Sequence, residues 1–450
     1  MQISNSEPFY EPTSGSYRKE IPSIVVMIIG TVIILALYSP LTKPLWIDEF
    51  LHFALGSHHS TSEAWNSIVT SIPTINHGQT GVYMMLNYWT MKLFGANLFL
   101  LRLPSLLSAA FMILSYSRIA LRLKFGPLWL SVLFLFIIFQ TNLISYANEA
   151  RPYMPLAAAT AGVLAFYMVR SSERNLVDRC WGAIAIGLGV ISHPYFAVYW
   201  FMLALFTFFQ QGIPRKAFVK AFLKHCDLLI SVPATLVFFG LAKFTWLLGS
   251  PEFHMDPFFW IRPAGILNTF MQLAHFQFLG PFWITLIVMA SVYITLLLYP
   301  GLRNSDSFRQ IFSPLCLILC ALAISALLGY VSYLRDYWVL PRQWMASMGL
   351  CCFAVTWLLV SVSRWLRTLW SPLQSIPLLV ILLGVAPSEG TRVHNERVRA
   401  WAPTDPVQMD ISARENVPKN NDEWVALANA NLHEGGPVWL VFREYYIPSH

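Results

Sequence analysis

The chain has 450 residues, 56% of them hydrophobic and 12% charged, with a mean hydropathy of +0.54 and a formal net charge of +7. A soluble globule of this length would be charged at nearer about a quarter of its positions, so a soluble fold is excluded. Nucleic acid is excluded as a partner too, because the Lys and Arg residues cluster in short segments between apolar runs, as the positive-inside rule requires.

Residues 1–21 are polar and acidic, and read as a cytoplasmic tail ahead of an uncleaved first span. Apolar runs long enough to cross a hydrocarbon core follow near 22–39, 99–118, 127–145, 152–169, 181–192, 194–210, 227–248, 281–299, 311–333, 343–362 and 372–387. The run 79–95 is ambiguous, and charge decides its placement. If it lies on the outer surface as a juxtamembrane helix, the inner side holds sixteen Lys and Arg, from Arg18 and Lys19 to Arg364 and Arg367. The outer connections then hold six: Lys43, Lys92, Arg151, Arg262, Arg335 and Arg342. His193-Pro194 breaks the run 181–210 into two short spans meeting at the outer face, a single kinked helix being the alternative. The predicted architecture is an all-α polytopic membrane protein. About eleven transmembrane helices fill 22–387, with a long first outer loop at 40–98 and a small outer appendage at 388–450. The six cysteines fall in spans or at their inner ends, with no zinc spacing.

Two segments stand out chemically. Residues 46–49 (WIDE) set Asp48 and Glu49 at the end of the first span, where partial desolvation suits a carboxylate to general-base or electrostatic work. The competing reading is that acidic residues simply favour an outer span end. Residues 148–153 (NEARPY) put Glu149 and Arg151 in a short turn close to membrane depth, where ionisable groups find partners. A self-contained Glu–Arg pair would serve as well. Arg262, Arg335 and Arg342, with Lys243 inside a span, form a cationic set suited to phosphate, lipid headgroups being the competing ligand. The outer histidines His52, His58, His59, His77, His193, His254 and His275 lack the helical spacing of a zinc motif. Each singly reads as a packing or surface group, with His77 set apart. A divalent cation is left open, and no cofactor is assigned.

Residues 77–89 (HGQTGVYMMLNYW), 92–95 (KLFG) and 101–105 (LRLPS) resemble the early region of polyprenyl-phosphate-dependent GT-C glycosyltransferases. Protein O-mannosyltransferases and bacterial lipid A aminoarabinose transferases are examples of that family. The 46–49 and 148–153 segments are similar to the family's two acidic outer-face sites. Residues 341–344 (PRQW) resemble a late Arg–aromatic element near the donor phosphate. Gly78-Gln79 stands where the family carries a Pro-Pro or Lys-containing element.

The resemblance implies a GT-C-like bundle and transfer of a sugar from a polyprenyl-phosphate donor to a hydroxyl of a lipid, glycan or protein. In that reading Asp48, Glu49 and Glu149 are the catalytic carboxylates, Asp48 being the base. Arg262, Arg335, Arg342 and Lys243 bind the donor phosphate, while His77, Gln79, Arg151, Tyr153 and His193 position substrate. A lipid-linked donor arrives through the bilayer, which fits the lack of a Gly-rich phosphate loop. The site would open on the periplasmic or extracytoplasmic face of the inner (plasma) membrane. A lipid-substrate transporter or flippase, and a surface-polysaccharide polymerase or ligase, stay open as alternatives.

Overall fold

A computed structural model describes residues 17–38, 49, 52, 53, 55–75, 81–95, 98–140, 143, 146–211, 218–242, 306–334, 344–385 and 391. All the regular structure among them is helical, as the repeated apolar runs predict. In order these are α1 (Tyr17–Tyr38), α2 (Thr61–Ile75), α3 (Val82–Phe94), α4 (Leu98–Arg122), α5 (Pro127–Phe139) and α6 (Tyr153–Tyr167). Then come α7 (Leu176–Ser192), α8 (Phe196–Gln210), α9 (Phe218–Cys226), α10 (Leu228–Ala242), α11 (Asp306–Leu334), α12 (Met345–Leu369) and the short α13 (Ile376–Val380). Phe99–Arg122, Ile311–Leu328 and Met345–Leu369 are long and apolar enough to cross a membrane, and α9 with α10 passes the same test as a pair bent by 74°. Large apolar side chains exposed along α1, α10 and α11, among them Ile28, Leu229 and Leu319, suit contact with lipid. The chain is a multi-pass membrane protein. The expected span 281–299, the loop 249–280 and nearly all of the expected appendage 388–450 lie outside the described residues.

At the centre stands α6, every residue of which is buried. Its sequence, YMPLAAATAGVLAFY, explains why it can be surrounded: five alanines and a glycine let neighbouring backbones come close. A Cβ at Gly162 would fall 2.6 Å from Ala185 Cβ on α7 and 2.7 Å from Phe111 Cε1 on α4. Helices α4, α7, α8 and α12 all pack on α6.

Local chemistry starts several of these helices. Pro127 follows Gly126 at the head of α5, where its missing N–H costs nothing. Asn175 and Asp178 form a reciprocal capping box on α7, with bonds of 2.9 and 3.1 Å.

Hydrogen bonds fix the direction of each helix and divide the bundle into two ends. The start of α4 lies beside residues 149–151, since Ser105 bonds to the Glu149 carbonyl. Its finish lies beside the start of α7, where Arg118 and Arg122 both bond to Asp178. The far end of α7 returns to the first end, because the His193 ring sits 6.0 Å from the Tyr153 ring. Helix α8 then runs back, Gln211 bonding to the Tyr167 carbonyl at the finish of α6. The chain therefore turns at His193-Pro194 rather than continuing as one kinked helix. Basic side chains gather at the second end: Arg118, Arg122, Arg174, Arg179 and Arg364 all make their contacts there.

Helix α3 covers most of the ambiguous run 79–95. Its thirteen residues span about 20 Å, short of the roughly 30 Å hydrocarbon core. Tyr83 at its start bonds to Ser105, so the start of α3 packs beside the second turn of α4.

Candidate active site

The first end of the bundle is organised by one carboxylate. Glu49 is fully buried and accepts two hydrogen bonds from Arg102, Nε to Oε1 at 2.9 Å and Nη2 to Oε2 at 2.8 Å. This is the fork-to-fork geometry in which guanidinium and carboxylate bind most strongly. Oε1 also accepts the Ala150 N–H at 2.8 Å. Three segments far apart in sequence are thereby joined: Glu49 in the segment after α1, the second turn of α4, and the 148–151 turn.

A polar chain beside this pair holds the turn from its other side. Ser105, three residues after Arg102 and so on the same helix face, donates to the Glu149 carbonyl at 2.5 Å and approaches the Arg151 carbonyl at 3.5 Å. With that proton committed, Tyr83 is the donor in its 2.6 Å bond with Ser105. Asn87, one turn along α3, bonds through Nδ2 to His52 Nδ1 at 2.8 Å, and the His52 ring meets Tyr83 edge-on at 5.9 Å. All four side chains are buried.

Arg151 leads away from the turn. Its guanidinium lies 5.6 Å from the centre of the Tyr153 ring, a cation–π distance. Beyond Tyr153 is His193, fully buried in the break between α7 and α8, with its ring 4.6 Å from that of Tyr195. Burial, and then the neighbouring Arg151 charge, push the His193 imidazole down to about 3, so it is neutral at any working pH.

Of the residues singled out in the sequence, Glu49, Glu149, Arg151, Tyr153 and His193 come together at this end. Asp48, His77, Gln79, Lys243, Arg262, Arg335 and Arg342 lie outside the described residues. Glu49 makes close ionic and backbone contacts, an arrangement that suits holding segments in register better than taking up a proton. The Glu149 side chain is half-buried. Among the described residues no three His, Cys, Asp or Glu side chains form a group that could hold a metal ion.

The segments 77–89 and 101–105 that carry the resemblance contain Tyr83, Asn87, Arg102 and Ser105, but sequence reading gave none of these four a role in the site, and it took His52 for packing. One signal was present: a guanidinium four residues inside an apolar helix is costly unless an acid meets it.

No protein-family model matches the chain, and no curated protein matches its sequence. Two solved structures are similar. One is the crystal structure of ArnT from Cupriavidus metallidurans bound to undecaprenyl phosphate, with a TM-score of 0.47 at 15% identity, covering 92% of this chain and 72% of that one. The other is the same protein in the apo state, with a TM-score of 0.37 at 16% identity over 74% and 76% of the two chains.

Proposed function

We propose that the chain is an integral membrane glycosyltransferase that moves a sugar from a polyprenyl-phosphate donor to a hydroxyl acceptor at the first end of the bundle. The observation that carries this reading is the junction at Glu49. The residue next to Asp48 is tied to the backbone of the 148–151 turn, so the two acidic segments singled out in the sequence share one location.

In this reading Asp48 takes the proton of the acceptor hydroxyl as its oxygen attacks the anomeric carbon. The bond from that carbon to the phosphate oxygen breaks with its electron pair, and polyprenyl phosphate leaves. Arg262, Arg335, Arg342 and Lys243 meet the charge that grows on the leaving phosphate. Glu149 positions the acceptor or donor, and Glu49 acts as a positioning residue by holding the segment that bears Asp48. The first end faces the periplasm or cell exterior, because the basic second end belongs in the cytoplasm.

The test is incubation of the purified chain with a panel of polyprenyl-phosphate sugars while released polyprenyl phosphate is followed. Release is expected with at least one donor and an acceptor, and Asp48→Asn is expected to abolish it. Near-normal turnover by Asp48→Asn with substrate bound would rule out Asp48 as the base.

A further inference from the structure

His193 has a hydrogen-bonding state that its surroundings define. Its Nδ1 accepts the Tyr195 N–H at 3.2 Å, which leaves the ring proton on Nε2. That Nε2–H is buried and has no hydrogen-bond partner among the described residues. Buried donors are almost always satisfied, and an exception in a native structure calls for a ligand, water or ion. The electrostatics narrow the choice. The Arg151 guanidinium and the His193 ring share Tyr153 as a neighbour, at 5.6 and 6.0 Å from its ring centre, and the Tyr195 ring lies 4.6 Å from that of His193. A donor that cannot accept, set beside a guanidinium and walled by aromatic rings, is complementary to an anionic oxygen.

We propose that His193 Nε2–H and the Arg151 guanidinium form an oxyanion subsite that takes a phosphate oxygen of a lipid-linked ligand. The inference rests on the glycosyltransferase reading only for which phospholipid is bound. The neutral imidazole is what makes the subsite constant with pH: it stays a donor across the physiological range, while Arg151 supplies the charge. Arg151 lies on the same short turn that Glu49 holds through Ala150, so loss of the Glu49 junction would displace the charged half of the subsite.

The experiment measures binding of polyprenyl phosphate, of polyprenol and of phosphatidic acid to the full chain in detergent, for wild type, His193→Phe and His193→Gln. Wild type is expected to bind polyprenyl phosphate better than polyprenol. His193→Phe should lose about tenfold or more of the phosphate affinity, as for one hydrogen bond to a charged group, with polyprenol binding unchanged. His193→Gln, which keeps an N–H donor, should recover part of that loss, a result that simple packing would not give. If His193→Phe fails to fold, the wild-type chain labelled with 15N-histidine serves instead: adding polyprenyl phosphate, but not polyprenol, should shift a buried Nε2–H resonance downfield. His193-dependent binding of phosphatidic acid with no preference for polyprenyl phosphate would keep the subsite and refute the donor reading. Phosphate binding that is indifferent to His193, with no shifted histidine proton, overturns the subsite, even in an active glycosyltransferase.

Discussion

Replacing Arg102 by alanine tests the junction on which the site depends. The pair is nearly dry, with 4% of the Arg102 side chain and none of Glu49 exposed. Removing the guanidinium takes away both of its bonds to the carboxylate and leaves the Ala150 N–H bond in place. Breaking a buried pair on one side costs about 3–5 kcal/mol, because a charge stays in a medium that solvates it poorly. Glu49→Ala should cost a similar amount, leaving the guanidinium behind. The double variant Glu49→Ala/Arg102→Ala removes both charges and should cost less than the sum, by about 2–3 kcal/mol of coupling. Arg102→Lys should fall between wild type and Arg102→Ala, since an ammonium supplies charge without the planar fork. The assay is thermal unfolding in detergent, followed by a thiol-reactive dye. Cys320, Cys351 and Cys352 are buried and become reactive only on unfolding, whereas exposed Cys180 and the half-buried Cys226 and Cys316 are replaced by serine in every protein compared. Two outcomes would refute the reasoning: strictly additive single costs, or an Arg102→Ala cost below about 1 kcal/mol, which is the size of an exposed pair.

Three further predictions use the same assay. Gly162→Leu should destabilise by about 1–3 kcal/mol or more, because α7 and α4 already stand where its side chain would go. Asp178→Ala should cost more than Asn175→Ala, whose cap is worth about 1 kcal/mol, because Asp178 also holds Arg118 and Arg122 at the second end. His193 has a folded value near 3 against an unfolded value of 6.5, so below pH 6.5 the unfolded chain takes up a proton that the folded chain refuses. Its contribution is therefore flat above pH 6.5, and stability falls below it by up to about 1.4 kcal/mol per pH unit. In His193→Asn that part of the acid slope should disappear, and an unchanged slope would refute the assignment.

What the sequence showed and what it hid follow from the range of the interactions. Apolar runs declare themselves locally, so the positions of α1, α4, α8 and α12 were legible, as was the turn at His193-Pro194, where proline cannot continue the helix hydrogen bonds. The run 227–248 was read as one span, and the structure places an amphipathic helix, α9, before it. That helix exposes Lys220 and packs Phe222 against Phe208, with the bend next to Asp227 at a φ of 53°. Nine residues are too few for a hydropathy window to separate from the span that follows. Where the sequence placed a span over 372–387, residues 371–385 form an uninterrupted helical stretch whose pitch changes from Ser371–Ser375 to Ile376–Val380 and Ile381–Val385, and Ser371–Leu383 is an apolar helix. The role of Glu49 was hidden for a different reason. Its partners lie 53 and 101 residues away, one inside a run that reads as purely apolar, and no pattern along the chain links them.

The buried pair at Glu49 raises the question of what it gives the protein. A leucine and a methionine in the same space would avoid the desolvation of two charges, and such replacements are commonly neutral or stabilising. Apolar contact, however, is indifferent to small slides, whereas the Arg102 fork and the Ala150 N–H donate to the Glu49 carboxylate in one position. The segment fixed this way is the one carrying Asp48, and the turn it is fixed to carries Glu149 and Arg151. A transfer reaction gains from reacting groups held within a few tenths of an ångström. The pair therefore makes sense as a registration device. A Glu49→Leu/Arg102→Met variant, which fills the same space without charge, should separate the two contributions: a bundle nearly as stable as wild type, with the release of polyprenyl phosphate still lost.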